Sequence, residues 1–256
     1  MSKPAGQEYS RLARGFTTTA FPPLIRAIMK RDWHGQEHIT ASGGAIVAVN
    51  HLSYADWAAV ALFLHQAGRY PAFLIKASAF DMKGLGAFLR ACGQFPVNRG
   101  QTDAALVLKD AERGLENGEC LVFYPEGTAT RDPAGWPMVA KTGVARLALT
   151  TWAPVIPLAH WGAQVILPYG SSKPHLVPRH MVRMLAGPPV DLSAYREQPL
   201  SKEVLTEATA TIMADITGLL AKLRNETPPA VPYDMAAARR AAASADPVTD
   251  QKEMPA

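Results

Sequence analysis

The fold is decided by the stretch Ala45-Ile46-Val47-Ala48-Val49-Asn50-His51-Leu52-Ser53-Tyr54-Ala55-Asp56-Trp57. Its first five residues form an apolar run typical of a buried strand, and the apolar residues 58–64 that follow predict a helix. His51 and Asp56 therefore fall where a strand ends and a helix begins, a usual position for reactive groups in α/β proteins. Five positions separate them, so the pair can meet only if the chain turns between them.

A histidine beside an aspartate indicates general base chemistry. A carboxylate on one imidazole nitrogen fixes the tautomer and leaves the other nitrogen free to take a proton. No serine nucleophile is needed if that proton comes from a hydroxyl of the substrate. The chain has seven histidines, so an aspartate five residues after one of them also arises by chance. The pair gains its weight from the motifs that follow it.

Length and composition indicate one large α/β domain. The chain has 256 residues, 48% of them hydrophobic, and a formal net charge of +4. This mild basic excess suits anionic partners such as a phosphorylated lipid, a nucleotide cofactor or an anionic membrane surface. Cys92 and Cys120 lack metal-type spacing, which predicts a reducing compartment and no zinc site. Neither a signal peptide nor an apolar run near the ~20 residues that span a bilayer is evident, which predicts a soluble or peripheral protein.

Residues 11–33 combine apolar and basic side chains, after a predicted flexible N-terminus at 1–10. A helix begun by Pro22-Pro23 would carry Leu24, Ile25, Ile28 and Met29 on one face. Basic residues beside such a face are typical of a helix at a membrane interface. A helix that packs this face on the domain explains the pattern equally well. Both interpretations stay open at this point.

Strand and helix patterns alternate along the rest of the chain. Strands are predicted at 72–76, 120–124, 154–159 and 182–186, with a loop or short strand at 94–100. Helices are predicted at 82–92, 103–116 with Thr102 as its cap, 141–152 and 201–224. Residues 227–256 are rich in Pro and Ala, which predicts a disordered tail. The alternation predicts an α/β fold with a mixed, largely parallel central sheet, helices on both faces and an amphipathic N-terminal segment.

Four blocks in order resemble the glycerolipid acyltransferase family, of the bacterial type that acylates lysophosphatidic acid. The similarity covers roughly residues 33–187 and implies an acyltransferase domain at 34–226. The blocks are Asn50-His51-(four residues)-Asp56, Phe95-Pro96-Val97-Asn98-Arg99, Phe123-Tyr124-Pro125-Glu126-Gly127-Thr128 and Val155-Ile156-Pro157-Leu158.

The resemblance implies a 1-acylglycerol-3-phosphate O-acyltransferase of phospholipid synthesis. His51 would be the general base that deprotonates lysophosphatidic acid, and Asp56 the carboxylate that orients it. The alkoxide would attack the thioester of acyl-CoA or acyl carrier protein and give phosphatidic acid. The family implies no cofactor and no metal beyond that acyl donor. Its expected partners are the lipid substrate and a membrane surface, with no nucleic acid, and its expected location is the cytoplasmic face of the cell membrane.

The resemblance also implies residues that bind the glycerophosphate, namely Arg99 and the turn Glu126-Gly127-Thr128. A phosphate monoester requires cationic groups, so Lys76, Arg99 and Arg131 are the candidates. A carboxylate does not suit phosphate, so Glu126 is expected to hold an arginine, a glycerol hydroxyl or the loop itself. Asn50 and Pro157 are expected to line the acyl pocket or to have a structural role.

The sequence departs from the family pattern at two blocks. Asn98 and Gly100 flank Arg99, and two residues separate Thr128 from Arg131. These departures leave other acceptors open, such as glycerol 3-phosphate or another lysophospholipid. A thioesterase-like hydrolase and a non-catalytic lipid-binding protein are the more distant alternatives. His160, after the last central strand, either lines the cleft or is a packed histidine.

Overall fold

Seven strands form one mixed sheet in the computed structural model, which describes residues 10–40, 42–97 and 104–245. The strands are β1 (Met29–His34), β2 (Ala45–Val49), β3 (Pro71–Lys76), β4 (Phe95–Val97), β5 (Cys120–Phe123), β6 (Val155–Trp161) and β7 (His180–Ala186). Their order across the sheet is β1-β7-β6-β2-β5-β3-β4. Every neighbouring pair is parallel except β6 and β7. The predicted mixed, largely parallel sheet is confirmed.

Helices cover both faces of this sheet. They are α1 (Arg11–Thr19), α2 (Phe21–Ile28), α3 (Asp56–Gln66), α4 (Leu85–Ala91), α5 (Ala104–Glu116), α6 (Gly143–Thr151), α7 (Ala163–Ile166), α8 (Ser193–Arg196), α9 (Lys202–Arg224) and α10 (Met235–Ala245). In β2, Val47 and Val49 face the core formed with α2 and α3. Ile46 and Ala48 face the opposite core, formed with α5, α6 and α9. A strand buried on both faces is apolar throughout, which explains the run that opens the decisive stretch.

Most predicted elements form, and one of the helices is shorter than predicted. The predicted helix 82–92 is shorter, because Gly84 adopts a φ of +77° and α4 begins only after it. Thr102, the predicted cap of the next helix, lies outside the described residues, as do Asp103 and Arg99.

The amphipathic stretch 11–33 divides into α1, α2 and the edge strand β1. Met29, predicted to share a helix face with Ile25, is instead the first residue of β1 and pairs with His180. Ile25 is only 4% exposed and packs in the core, whereas Leu12 and Leu24 are 86% and 58% exposed. Some of the apolar side chains therefore pack on the domain and others face outward, and the interpretation of the stretch as a membrane-interface segment stays a prediction.

The segment after residue 226 differs from the predicted disordered tail. Tyr233 forms a β-bridge with Met138, and its carbonyl accepts a hydrogen bond from the Val139 amide at 3.0 Å. Helix α10 follows at Met235–Ala245. The prediction of disorder rested on the low complexity of this segment, which is rich in alanine. Alanine is also the strongest helix former, so the same composition favours a helix. Residues 1–9 and 246–256, which complete the two predicted flexible ends, lie outside the described residues.

Helix α9 has the length and composition of a membrane-spanning helix, the one such helix within the described ranges. Its apolar residues pack on β6 and the core beneath it. The buried ones are Val204, Leu205, Ala208, Ile212, Ile216, Leu219 and Leu220. Helix α9 is therefore apolar because one of its faces is buried in the core of the domain.

The topology brings polar residues from four strands to one edge of the sheet. His51 follows β2, Lys76 ends β3, Glu126 lies in the turn after β5 and His160 lies near the end of β6. These strands are parallel neighbours, so their carboxyl ends meet at the same edge.

Candidate active site

The turn between β2 and α3 brings His51 and Asp56 together, as the sequence predicted. Nδ1 of His51 lies 2.8 Å from Oδ2 of Asp56. The backbone amides of Leu52 and Ser53 donate to the same oxygen at 2.7 and 3.0 Å. Asp56 is the first residue of α3 and is fully buried, so the turn closes around its carboxylate. The positive end of the helix dipole adds to the stabilisation of this negative charge.

The electrostatics of the pair suit a general base. Burial alone raises the pKa of Asp56, but His160 and His51 together outweigh burial and lower this pKa to about 2. The carboxylate is therefore ionised at neutral pH and accepts a hydrogen bond from the Nδ1–H of His51. A neutral imidazole with its proton on Nδ1 has a free lone pair on Nε2. That Nε2 has no hydrogen-bond partner within the described ranges, and the His51 side chain lines a cavity.

Tyr124 packs on the imidazole and was not identified as a site residue from the sequence. The two ring centres are 4.4 Å apart and the planes are inclined by 30°. Burial raises the pKa of Tyr124 well above 10, so its hydroxyl stays neutral. Its position beside Pro125-Glu126 in the third sequence block was the available signal. The ring restricts the tilt of the His51 imidazole.

Glu126 holds the loop itself, one of the three roles expected for it. Its Oε1 accepts a hydrogen bond from the backbone amide of His51 at 3.0 Å. Its Oε2 accepts one from the backbone amide of Met138, also at 3.0 Å. The side chain therefore joins His51 to the loop after β5. Burial is the main reason that the pKa of Glu126 rises from 4.5 to about 7.

The turn after Glu126 lies beside the cationic side chain of Lys141. Gly127 has a φ of +70°, and a Cβ added to it would lie 3.4 Å from Cε of Lys141. A side chain at this position would strain the backbone and crowd the lysine. Thr128 continues the turn and is partly buried. Lys141 and Lys76 both line the cavity into which His51 faces.

This cavity has a volume of about 850 Å³ and a mainly apolar lining. It follows β3 from Lys76, near His51, to Pro71 and the adjoining Tyr70. Six strand residues extend over about 17 Å. Helices α1 and α2 close one side with Phe16, Thr17, Thr18, Phe21 and Pro22. The shape suits a long apolar ligand whose reactive end lies at His51.

Six of the predicted site residues that the structure describes lie outside the lining of this cavity, namely Asp56, Glu126, Thr128, Arg131, Asn50 and Pro157. The Arg131 guanidinium stacks 3.8 Å from the ring centre of Tyr169, whose ring contacts that of Tyr54 beside the site. Asn50 and Pro157 are buried at the β2–β6 junction, which favours their structural role over the acyl pocket. Arg99 lies outside the described residues, so its role stays a prediction.

His160 is more closely involved than the sequence indicated. Its imidazole is completely buried, and Nε2 lies 2.9 Å from the Asn50 carbonyl oxygen and 3.2 Å from Oδ2 of Asp56. Burial lowers the pKa of His160, but the adjacent Asp56 carboxylate outweighs this effect and raises the pKa above 6.5. Of the two interpretations from the sequence, the packed histidine is the one that agrees with the structure.

Comparison with known proteins gives matches of sequence and of fold. A family model described as Acyltransferase matches residues 30–161, more than half of the chain. A 1-acyl-sn-glycerol-3-phosphate acyltransferase of Bacillus subtilis is 26% identical over 192 residues, which is 74% of this chain and 88% of the relative. A chloroplastic 1-acyl-sn-glycerol-3-phosphate acyltransferase of Brassica napus is 30% identical over 153 residues, 58% of this chain and 42% of the plant protein.

The fold is similar to the crystal structure of a 1-acyl-sn-glycerophosphate acyltransferase, PlsC, from Thermotoga maritima. The TM-score is 0.63 over 84% of this chain and 83% of the other, with 21% sequence identity. At this level of sequence identity the similarity supports a shared fold over most of both chains.

The buried Glu126 predicts a specific dependence of stability on pH. Because its pKa is higher in the folded protein than the ordinary 4.5, its contribution to stability is complete below pH 4.5. That contribution is lost as the pH rises through about 7, a change of roughly 3 kcal/mol. Glu126→Gln cannot ionise, so the variant should lack this loss when urea unfolding is measured between pH 4.5 and 7.5.

The single amide oxygen of glutamine cannot accept both backbone hydrogen bonds equally well, so the variant should be less stable than the wild type at pH 4.5, where the wild-type carboxyl group has lost none of its contribution. Glu116→Gln, at an exposed glutamate of α5, is the matched control and should keep the wild-type pH dependence. An unchanged pH dependence in Glu126→Gln would contradict the buried, ionisable carboxyl group.

Proposed function

The chain belongs to the acyltransferase family, and on that premise we propose that it transfers a fatty acyl group from a thioester to the free hydroxyl of lysophosphatidic acid. The product would be phosphatidic acid, for phospholipid synthesis. The observation that carries the proposal is the His51–Asp56 pair, whose Nε2 faces a long apolar cavity. The names of the Bacillus subtilis and Brassica napus relatives support the acceptor.

The proposed reaction needs one base and no covalent enzyme intermediate. Nε2 of His51 takes the hydroxyl proton while the acceptor oxygen forms a bond to the thioester carbonyl carbon. The tetrahedral intermediate then breaks its carbon–sulfur bond, and His51 returns the proton to the departing thiolate. Asp56 stabilises the imidazolium formed between these two steps. Its low pKa keeps the carboxylate charged throughout.

The cations near His51 suit the phosphate of the acceptor. Lys76 and Lys141 line the cavity at the same edge of the sheet as His51. Arg131 stacks on Tyr169, close to the same edge, and Arg99 remains a candidate from the sequence. A guanidinium can bind a phosphate with two parallel hydrogen bonds, and a lysine adds a point charge. Glu126 stays in its structural role, because both of its oxygens accept backbone amides.

The acyl donor is proposed to be acyl-CoA or acyl carrier protein, used as a substrate. Either donor presents an activated thioester, so the enzyme has to align two lipids and move one proton. The apolar cavity along β3 would hold the fatty chain with its carbonyl carbon near His51.

Attachment to the membrane surface is part of the proposal, with the enzyme peripheral on the cytoplasmic face. Leu12, Phe16 and Leu24 on α1 and α2 are all more than half exposed, and Arg11 and Arg26 are exposed on the same helices. Exposed apolar groups with adjacent cations favour an anionic lipid surface. Phe16 also lines the cavity, so the apolar exterior continues into the proposed acyl site.

Replacement of the base tests the reaction and the role of His51 together. His51→Ala should lower acceptor-dependent thiol release from palmitoyl-CoA by about 10²–10⁴-fold, because general base catalysis contributes that much. The assay compares reactions with and without lysophosphatidic acid, and circular dichroism checks the fold. His34→Ala, at an exposed histidine of β1, is the control and should keep the wild-type rate.

Full activity of His51→Ala would exclude this residue as the base. Thiol release without acceptor would favour a hydrolase. Activity only with glycerol 3-phosphate or another lysophospholipid would change the acceptor within the same reaction. If no thiol is released from either acyl-CoA or acyl carrier protein with any acceptor of a panel, the result would favour a lipid-binding protein without catalysis.

The far end of the cavity should set the preferred chain length. Thr17 lines the cavity, and its hydroxyl lies 3.3 Å from that of Tyr70, which precedes β3. Thr17→Phe should displace about two methylene groups of a long acyl chain, each worth about 0.8 kcal/mol. The ratio of kcat/KM for dodecanoyl-CoA to that for palmitoyl-CoA should therefore rise roughly tenfold relative to the wild type. Thr19→Phe, exposed on the same helix, should leave the ratio unchanged. Equal ratios in the two variants would argue against an acyl chain in this cavity.

The exposed apolar side chains of α1 and α2 should determine binding to lipid vesicles. Leu12→Glu combined with Leu24→Glu should weaken cosedimentation with phosphatidylglycerol vesicles by tenfold or more, because each buried leucine contributes about 1.5–3 kcal/mol. Val231→Glu, at an equally exposed position near the C-terminus, is the control and should bind as the wild type does. Undiminished cosedimentation of the double variant would show that α1 and α2 do not attach the protein to membranes.

A further inference from the structure

A second histidine shares the carboxylate of the proposed base pair. His160 lies on β6, the strand beside β2, and its imidazole has no exposed surface. Its Nε2 lies between two acceptors, the Asn50 carbonyl oxygen at 2.9 Å and Oδ2 of Asp56 at 3.2 Å. Two acceptors on one nitrogen require a proton on that nitrogen, so His160 acts as a donor whether it is neutral or charged.

Asn50 and His160 are joined by three hydrogen bonds. Oδ1 of Asn50 accepts from the His160 backbone amide at 2.9 Å. Nδ2 of Asn50 donates to the His160 carbonyl oxygen at 3.1 Å. With the bond from the His160 ring to the Asn50 carbonyl, these contacts lock the ends of β2 and β6 together just beyond the Val49–Leu158 pair. The backbone immediately before His51 is therefore held in place.

All close donors to the Asp56 carboxylate converge on one oxygen. Oδ2 has four nitrogen atoms within 3.2 Å, from the rings of His51 and His160 and the backbone of Leu52 and Ser53. Oδ1 is buried without a partner in the part of the chain that the structure describes. This asymmetry fixes the rotation of the carboxylate and directs Oδ2 at Nδ1 of His51.

We propose that His160 is a positioning residue whose Nε2–H aligns the Asn50 carbonyl and the Asp56 carboxylate, and thereby sets the orientation of the catalytic base. The inference rests on the proposed acyltransferase function and assigns to it a residue outside the four sequence blocks. His160 touches no substrate, and it acts through Asp56 and His51.

A space-filling role does not account for a histidine at this position. Nδ1 of His160 is buried and has no partner within the described residues, an arrangement that costs free energy. An apolar side chain of similar volume would avoid this cost. The presence of a polar ring is therefore explained by the contacts of Nε2 with the Asn50 carbonyl and the Asp56 carboxylate. A misplacement of catalytic groups by about 1 Å can cost about 100-fold in rate, so alignment of this kind has a large effect.

The test compares His160→Leu with His160→Gln in the full-length protein. His160→Leu removes the donor and should lower kcat by roughly 10- to 100-fold with KM for lysophosphatidic acid unchanged, since no substrate contact is lost. His160→Gln keeps an N–H donor and should recover most of this loss. His180→Leu, the same change at the first residue of β7, is the matched control and should leave kcat unchanged. If His160→Leu does not fold, His160→Met replaces it.

Two further readouts separate positioning from a purely structural role. In the His51→Ala background, His160→Leu should cause no additional loss, because residues that act as one unit are not additive. In proton NMR spectra, the resonance of the His51 Nδ1 proton bound to Asp56 should shift or disappear in His160→Leu and persist in His160→Gln.

A wild-type kcat in His160→Leu would overturn the inference, as would equal losses in the leucine and glutamine variants or an additional loss in the His51→Ala background. These results would leave the proposed function intact, provided that the wild type is active and His51→Ala is not. An inactive wild-type protein would instead count against the proposed function itself.

Discussion

The hydrogen bond between His51 and the buried carboxylate of Asp56 is the interaction on which the site depends. A charged carboxylate in the interior is costly unless hydrogen bonds and opposite charges compensate it. Here the turn after β2 supplies two backbone amides, and two imidazoles supply the remaining donors. The same contacts that make burial of Asp56 tolerable also fix the tautomer of His51. Stability and reactivity of the site therefore depend on one set of atoms.

The surrounding structure holds this pair from two sides. Asn50 and His160 fix the strand end before His51, and Glu126 binds the His51 amide and the Met138 amide on the other side. Both connections join segments that are far apart in sequence. Glu126 also limits the buried negative charge, because its pKa of about 7 leaves a substantial fraction protonated at neutral pH. His51 is consequently held from both sides at the carboxyl edge of the parallel strands.

The apolar part of the site has a different construction. Its cavity extends along β3 and is closed in part by α1 and α2, whose outer surfaces expose Leu12, Phe16 and Leu24. A polar reaction centre at one end and an apolar channel at the other suit a lipid with a reactive head and a long tail. The N-terminal helices connect the two environments, since Phe16 belongs both to the outer surface and to the cavity wall.

Local apolar patterns and short motifs were enough to predict the central strands, the strand-to-helix junction that bears His51 and Asp56, and the family. The sequence did not predict the strand at Met29–His34 or the helix at Met235–Ala245. It also did not predict that Ile25 is buried while Leu24 is exposed. The strand and the different burial of Ile25 and Leu24 depend on partners elsewhere in the chain, whereas the alanine-rich composition of the helix was also typical of disorder. The roles of His160 and Glu126 were decided only by the tertiary structure, since Asn50 and His160 are 110 positions apart and His51 and Glu126 are 75 apart. Local sequence cannot specify contacts over such separations; the register of the parallel strands brings these residues together.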